Sequence, residues 1–271
     1  NRTTLALPTK EQLKTALANL PDTNDGPWLY LNDSTRPLIE RRISGSSEPI
    51  YTDFWGKIES AANNAMNFNF SSPSVSALVS RARYAKDLGF HAWYTENQTE
   101  AAQVFNLLRI IDDHIQRIEE VPKMLHHGTN LADYVLAWDF LQPFLSEGEN
   151  SQVKSQIEKY ATFVYDYLPQ CMDNNWELVV SSGTGMAGLK LHTPDLLRAT
   201  LEKIEHYISE NVRLEGAIYE GQGYIGYAFN SFKRVLMVME QYQGIGLPNY
   251  FKDGRLQSVY QFAVRCATPD G

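Results

Sequence analysis

SPSVSALVSRARYAKDLGFH, residues 72 to 91, decides the fold class. Ser72 stands where a helix cap accepts an orphan backbone N–H, and Pro73 suits the first helical position because its missing donor is not needed there. Val75, Leu78, Val79, Ala82, Ala85 and Leu88 then recur at three- and four-residue steps along one side. That spacing predicts an amphipathic helix, with Gly89 weakening its last turn.

Working outward, Asn97 reads as a second cap with Glu100 at the capping-box position, and Val104, Phe105, Leu108 and Ile111 supply the apolar face of the next helix. A connection this short makes the two helices an antiparallel hairpin. Similar pairs recur at Leu131 to Leu145 with Val153 to Leu168, at Asn175 to Leu191 with Pro194 to Ile208, and at Tyr224 to Tyr242 with Leu256 to Ala267. No convincing period-two strand interrupts them, so the chain is expected to be all-α.

Hairpins that bury one face against their neighbours form either a solenoid or a closed ring. The lack of a fixed-length repeat favours an irregular, incomplete (α/α) toroid of antiparallel helical hairpins. The toroid is assigned to residues 49–271. Residues 1–48, where TNDGPW (23–28) and Pro21 read as turns, form an N-terminal strap packed on it. The final ATPDG is a turn signal after a helix, an odd place for a protein to finish, so the chain is expected to be truncated.

Composition narrows the function. The 271 residues carry a formal net charge of −8, so no basic field draws the chain to nucleic acid or an anionic membrane. No apolar run reaches spanning length, and the first residues lack the pattern of a signal peptide. Cys171 and Cys266 are the only cysteines, without metal-ligand spacing, and no metal or cofactor is expected. The supply of 15 Tyr and 5 Trp suits sugar binding as well as helix packing. Sequons at Asn1, Asn32, Asn69 and Asn97 are short enough to arise by chance. Motifs of serine hydrolases, zincins and EF-hands do not occur.

Four polar segments interrupt the helical pattern. Asp173-Asn174-Asn175-Trp176 precedes an apolar helix: one Asn caps it and Trp176 staples it, or the amide sits at a helix N-terminus ready for a carboxylate. In Tyr219-Glu220-Gly221-Gln222-Gly223-Tyr224-Ile225-Gly226-Tyr227, three glycines among tyrosines suggest a flexible turn or close backbone approach to a bulky group. His126-His127, ahead of Gly128, reads as a solvated turn, since adjacent histidines point apart and make poor joint ligands. Trp138-Asp139 lies inside a helix, where a buried Asp is more often a structural brace than a catalyst.

LADYVLAWDFL (131–141), NNWELVVSSGTGMAGLKL (174–191) and EGAIYEGQGYIGYAF (215–229), in this order, resemble the N-terminal toroid of the heparinase II/III-like polysaccharide lyases. The resemblance implies β-elimination on a uronic-acid polymer such as alginate or a glycosaminoglycan. Asn175 would neutralise the uronate carboxylate, and Tyr224 would act as general acid and, in some members, as base. Asn174, Trp176, Tyr227, Glu220, His126 and His127 would contact substrate. It further implies a C-terminal antiparallel β-sheet domain as the other wall of the cleft, and a secreted or periplasmic protein. Trp176 stands where many members have a histidine, which leaves the toroid-side base unassigned.

Two other functions fit the same residues. A glycoside hydrolase would need two carboxylates across a cleft, from Asp139, Asp173 and Glu220. A non-catalytic glycan-binding module would keep the frame without the chemistry.

Overall fold

The computed structural model describes residues 6–22, 24, 26–32, 34–44, 48–68, 75–112, 124–171, 174–213, 215–219 and 222–267, without the side chains of 75–78, 124, 222–225, 228, 266 and 267. Its helices are α1 Lys10–Leu17, α2 Arg36–Ser44, α3 Pro49–Met66, α4 Val75–Thr95, α5 Gln98–Leu108, α6 Met124–Leu141, α7 Glu147–Tyr167, α8 Asn175–Lys190, α9 Pro194–Asn211, α10 Gln222–Gln241 and α11 Gly254–Ala267. Among the described residues there is no strand, only an isolated bridge between Val212 and Ile218. The protein is all-α, as its periodicity predicts. No described helix is long and apolar enough to cross a membrane.

The chain folds as two compact units. One comprises the described residues of Asn1–Leu20, His127–Thr129 and Ala161–Gly271; the other comprises those of Pro21–His126 and Asn130–Tyr160. Helices α6 and α7 contribute residues to both. The segment assigned as a strap, 1–48, contains two helices: α1 packs on α9 in the first unit, and α2 packs on α3 in the second.

In the second unit, α4 and α5 form the predicted hairpin. The Asn97 side chain accepts from the backbone N–H of Thr99 and Glu100 at 3.0 and 3.2 Å, which caps α5. The reciprocal half of the capping box is not made. Glu100 turns instead to His91 Nδ1 at 2.7 Å, and the Asn97 N–H donates to the Ala92 carbonyl. Gly89 does not end its helix, which runs on to Thr95; a Cβ there would lie 3.3 Å from the Ala137 carbonyl oxygen, so the glycine lets α4 approach α6 closely. Ser72 and Pro73 lie outside the described residues.

Asp139 is fully buried in α6, and its carboxylate accepts from the N–H groups of Trp28 and Leu29. The structural role predicted for it holds: one carboxylate satisfies two buried donors of an irregular segment. The same helix stops at Leu141, short of the predicted Leu145, and passes into a 3-10 turn, Gln142–Phe144, that contains Pro143. Helix α7 then starts at Glu147, ahead of the predicted Val153. Ser146 and Glu149 make that earlier start possible, because the Glu149 carboxylate accepts from the Ser146 N–H at 2.9 Å and from its hydroxyl at 2.6 Å.

The first unit is organised around α8. Asn175 and every residue from Glu177 to Lys190 are buried, so the helix has no solvent face and needs no amphipathic stripe. Helix α9 runs antiparallel to it: Glu177 meets His206, Thr184 meets Thr200 at 2.9 Å, and Gly188 lies against Leu197. Helix α10 packs on α8 from another side. Helix α11 is fastened to α9 by Arg255, whose guanidinium donates two 2.9 Å hydrogen bonds to the Glu205 carboxylate.

Candidate functional site

The site predicted from sequence begins at the N-terminus of α8. Asn174 is the cap: its backbone is extended, and its side-chain oxygen accepts from the Trp176 N–H at 2.9 Å. Asn175 is therefore the first helical residue and is buried, whereas Trp176 is half-buried. The two asparagines have different surroundings. The Asn174 oxygen serves the helix, while the Asn175 amide stands in the first turn, where the helix dipole favours negative charge.

The helix register shows what shares that end. Because α9 is antiparallel to α8, its last residue, Asn211, lies at the Asn175 end. A small loop follows, closed by Arg213 N–H to the Ala217 carbonyl at 2.8 Å and by Tyr219 N–H to the Asn211 carbonyl at 3.0 Å. Gly216 turns it with φ +91°. Helix α10 begins at Gln222. Farther along, a Cβ on Gly185 would lie 2.8 Å from side-chain atoms of both Thr200 and Val235. Asn175 is about 15 Å before Gly185 along α8, and Tyr224 about 16 Å before Val235 along α10, at the usual helical rise. Counted from that contact, the turns that carry Asn175 and Tyr224 lie at similar distances along α8 and α10, two helices that pack on one another.

The side chain of Tyr224 lies outside those described, and so does the whole of Glu220 and of Asp173. Tyr227, one turn further along α10, is 43% exposed, and burial of the rest raises its phenol above the ordinary tyrosine range. Of the glycine-rich segment, Tyr219 lies in a turn and Gly226 makes no close approach. Gln222 already starts the helix, and a Cβ on Gly226 would meet nothing within 4 Å.

The histidine pair departs from expectation. His126 and His127 are not in a turn; both lie inside α6, which begins at Met124. They do point apart, His126 exposed and His127 buried edge-on against Phe163 with ring centroids 5.3 Å apart. Gly128 lies inside the same helix. A Cβ there would come within 2.4 Å of the Val179 carbonyl oxygen, so two backbones cross in contact and only glycine fits.

One charged group at this end was missed. Glu177, fully buried in the first turn of α8, accepts from His206 Nδ1 at 3.0 and 3.1 Å and from Lys203 Nζ at 3.3 Å. Burial raises its carboxyl above the ordinary range, against the opposing pull of both partners. The adjoining Cys171 thiol is pushed up to about 11, chiefly by burial. Nothing in local spacing links these residues, because the partners of Glu177 sit on the next helix.

Among the described residues no group of three or more His, Cys, Asp or Glu side chains is placed to hold a metal ion. Of the carboxylates that a hydrolase would need, Asp139 is buried with its oxygens taken by backbone donors. No protein-family model matches the chain, and no curated protein matches it either.

Proposed function

We propose that this chain is the helical part of a polysaccharide lyase that cleaves a uronic-acid polymer, alginate or a glycosaminoglycan, by β-elimination. The arrangement that supports it best is the placement of Asn175 in the first turn of α8 and of Tyr224 in the first turn of α10, a helix packed on α8. In this mechanism the Asn175 amide, aided by the α8 dipole, hydrogen-bonds the uronate carboxylate and stabilises the enolate that forms as the C5 proton leaves. Tyr224 protonates the departing O4. The proton acceptor is not assigned, since the residue after Asn175 is Trp176. Trp176 and Tyr227 offer rings for sugar contacts.

The proposal includes closure of the hairpins into an (α/α) toroid. It also includes a β-sheet domain as the second wall of the cleft, and action outside the cytoplasm. A glycan-binding module without chemistry is the second reading, favoured by the tryptophan at position 176.

The test is to incubate the protein, joined to its expected β-sheet part, with alginate, heparan sulfate, chondroitin sulfate and hyaluronan while following ultraviolet absorbance. An unsaturated uronate product absorbs there; a signal lost in Tyr224→Phe and in Asn175→Ala is the expected result. Reducing ends without absorbance would replace elimination by hydrolysis. Binding without either would leave the module.

A further inference from the structure

Glu177 is an odd choice for a core position. It is fully buried in the first turn of α8, yet its partners are partly in water, with the side chains of His206 and Lys203 41% and 22% exposed. Solvent weakens such a pair, and a well-packed apolar side chain commonly serves stability as well as a buried ion pair does. What an apolar residue does not supply is direction. A carboxylate held by an imidazole N–H and an ammonium fixes both the rotation and the height of the turn that bears it.

Glu177 follows Asn175 by two residues, and at about 100° per residue the two side chains leave α8 on nearly opposite sides. Glu177 faces α9, so Asn175 faces away from it. The groups acting on Glu177 are His206 and Lys203 of α9, and the carboxylate in turn helps raise the Cys171 thiol just ahead of α8. Lys203 offsets the carboxylate charge, so the clamp does not leave the helix end with an uncompensated negative charge that would repel an anionic ligand.

We infer that Glu177 is a positioning residue: with His206 and Lys203 it clamps the first turn of α8 from behind and fixes where Asn175 presents its amide. The inference rests on the lyase reading in taking Asn175 as the group that meets the substrate carboxylate. Glu177 itself touches no substrate and acts through Asn175.

The experiment follows the Asn175 side-chain amide directly, by nuclear magnetic resonance of the nitrogen-15-labelled chain, in wild type and Glu177→Gln, with thermal unfolding as the check on folding. The expected result is a folded Glu177→Gln in which that amide pair shifts and exchanges with water about tenfold faster or more. An unmoved Asn175 signal in the folded variant overturns the inference. Should Glu177→Gln fail to fold, the double variant Lys203→Met with His206→Gln, which alters only partly exposed partners, gives the same readout with the same two outcomes.

Uronate cleavage on the same proteins keeps the two ideas apart. A wild type that neither binds nor cleaves, with an Asn175 amide that moves in Glu177→Gln, sinks the lyase reading and supports the clamp. In a protein that cleaves, Glu177→Gln lowers kcat about tenfold or more with KM within about twofold, because a displaced amide loses transition-state stabilisation more than binding. An unchanged kcat with an unmoved amide sinks the clamp alone.

Discussion

Gly128 and Gly183 meet backbone to backbone: a Cβ built on Gly183 would fall 2.4 Å from the Gly128 carbonyl oxygen. Alanine at either position gains about 1 kcal/mol of helix propensity but forces two backbones apart, which costs about 3 kcal/mol or more. Gly128→Ala and Gly183→Ala are therefore expected to lose about 2 kcal/mol or more in urea unfolding. Gly226→Ala, in a helix with open space around the new methyl, is expected to gain about 0.5 to 1 kcal/mol. If all three behave alike, the backbone crossing is not as described.

Asp139 gives a second test. Asp139→Ala leaves the N–H groups of Trp28 and Leu29 buried without their acceptor. The expected loss is about 3 to 5 kcal/mol by denaturant unfolding. Asp139→Asn, which retains one acceptor oxygen, should lose clearly less.

Two carboxyl groups of the first unit predict opposite pH behaviour. For Asp253, burial pushes upward, but the hydrogen bonds from Arg255 outweigh it and hold the group below the ordinary range. Its contribution is present above the unfolded value and disappears as pH falls through the folded one. Glu177 is raised, so its contribution is favourable at low pH and is lost as pH rises through its folded value. Thermal unfolding from about pH 2 to about pH 8 should show Asp253→Asn most destabilised at the neutral end, with the deficit shrinking as pH falls below about 4. Over the same range, Glu177→Gln should be as stable as wild type or more so at the neutral end, and lose that advantage in acid. Parallel curves would contradict both assignments.

The histidines separate by exposure. His127→Ala removes a buried ring from Phe163 and should cost about 2 to 3 kcal/mol of stability. His126→Ala should leave the unfolding midpoint unchanged. A substrate role for His126 then requires weaker glycan binding at equal stability, measured by calorimetry with a uronate oligosaccharide; equal affinity removes it from the site.

The all-α class and most helix pairs were legible because apolar residues at helical spacing are a local signal. The start of α8 was legible for the same reason, since Asn174 announces its cap within the sequence itself. Glycine misled. Gly89 and Gly128 carry the same letter whether a helix frays there or is crossed by a neighbour, and the difference lies in residues 48 and 51 positions or more away, Ala137 for the first and Val179 for the second. Glu177 was passed over because it interrupts an apolar run, and His206 and Lys203 are an entire hairpin arm away. Asn175 and Tyr224 were singled out by resemblance; that they stand on two helices packed against each other is a long-range relation which no spacing rule encodes.

Helix α8, enclosed on every side, also sets a mechanical hierarchy. Its inner amides open to water only when the surrounding helices separate, so in hydrogen exchange they should be among the slowest of this unit, at rates near those of global unfolding. Asn175 is mounted on the end of that rigid post. Tyr227 and Met237, by contrast, leave α10 with a flank open to solvent. In the proposed lyase, reshaping the Asn175 end to suit a different sugar would meet a fixed wall at α8 and an adjustable one at α10.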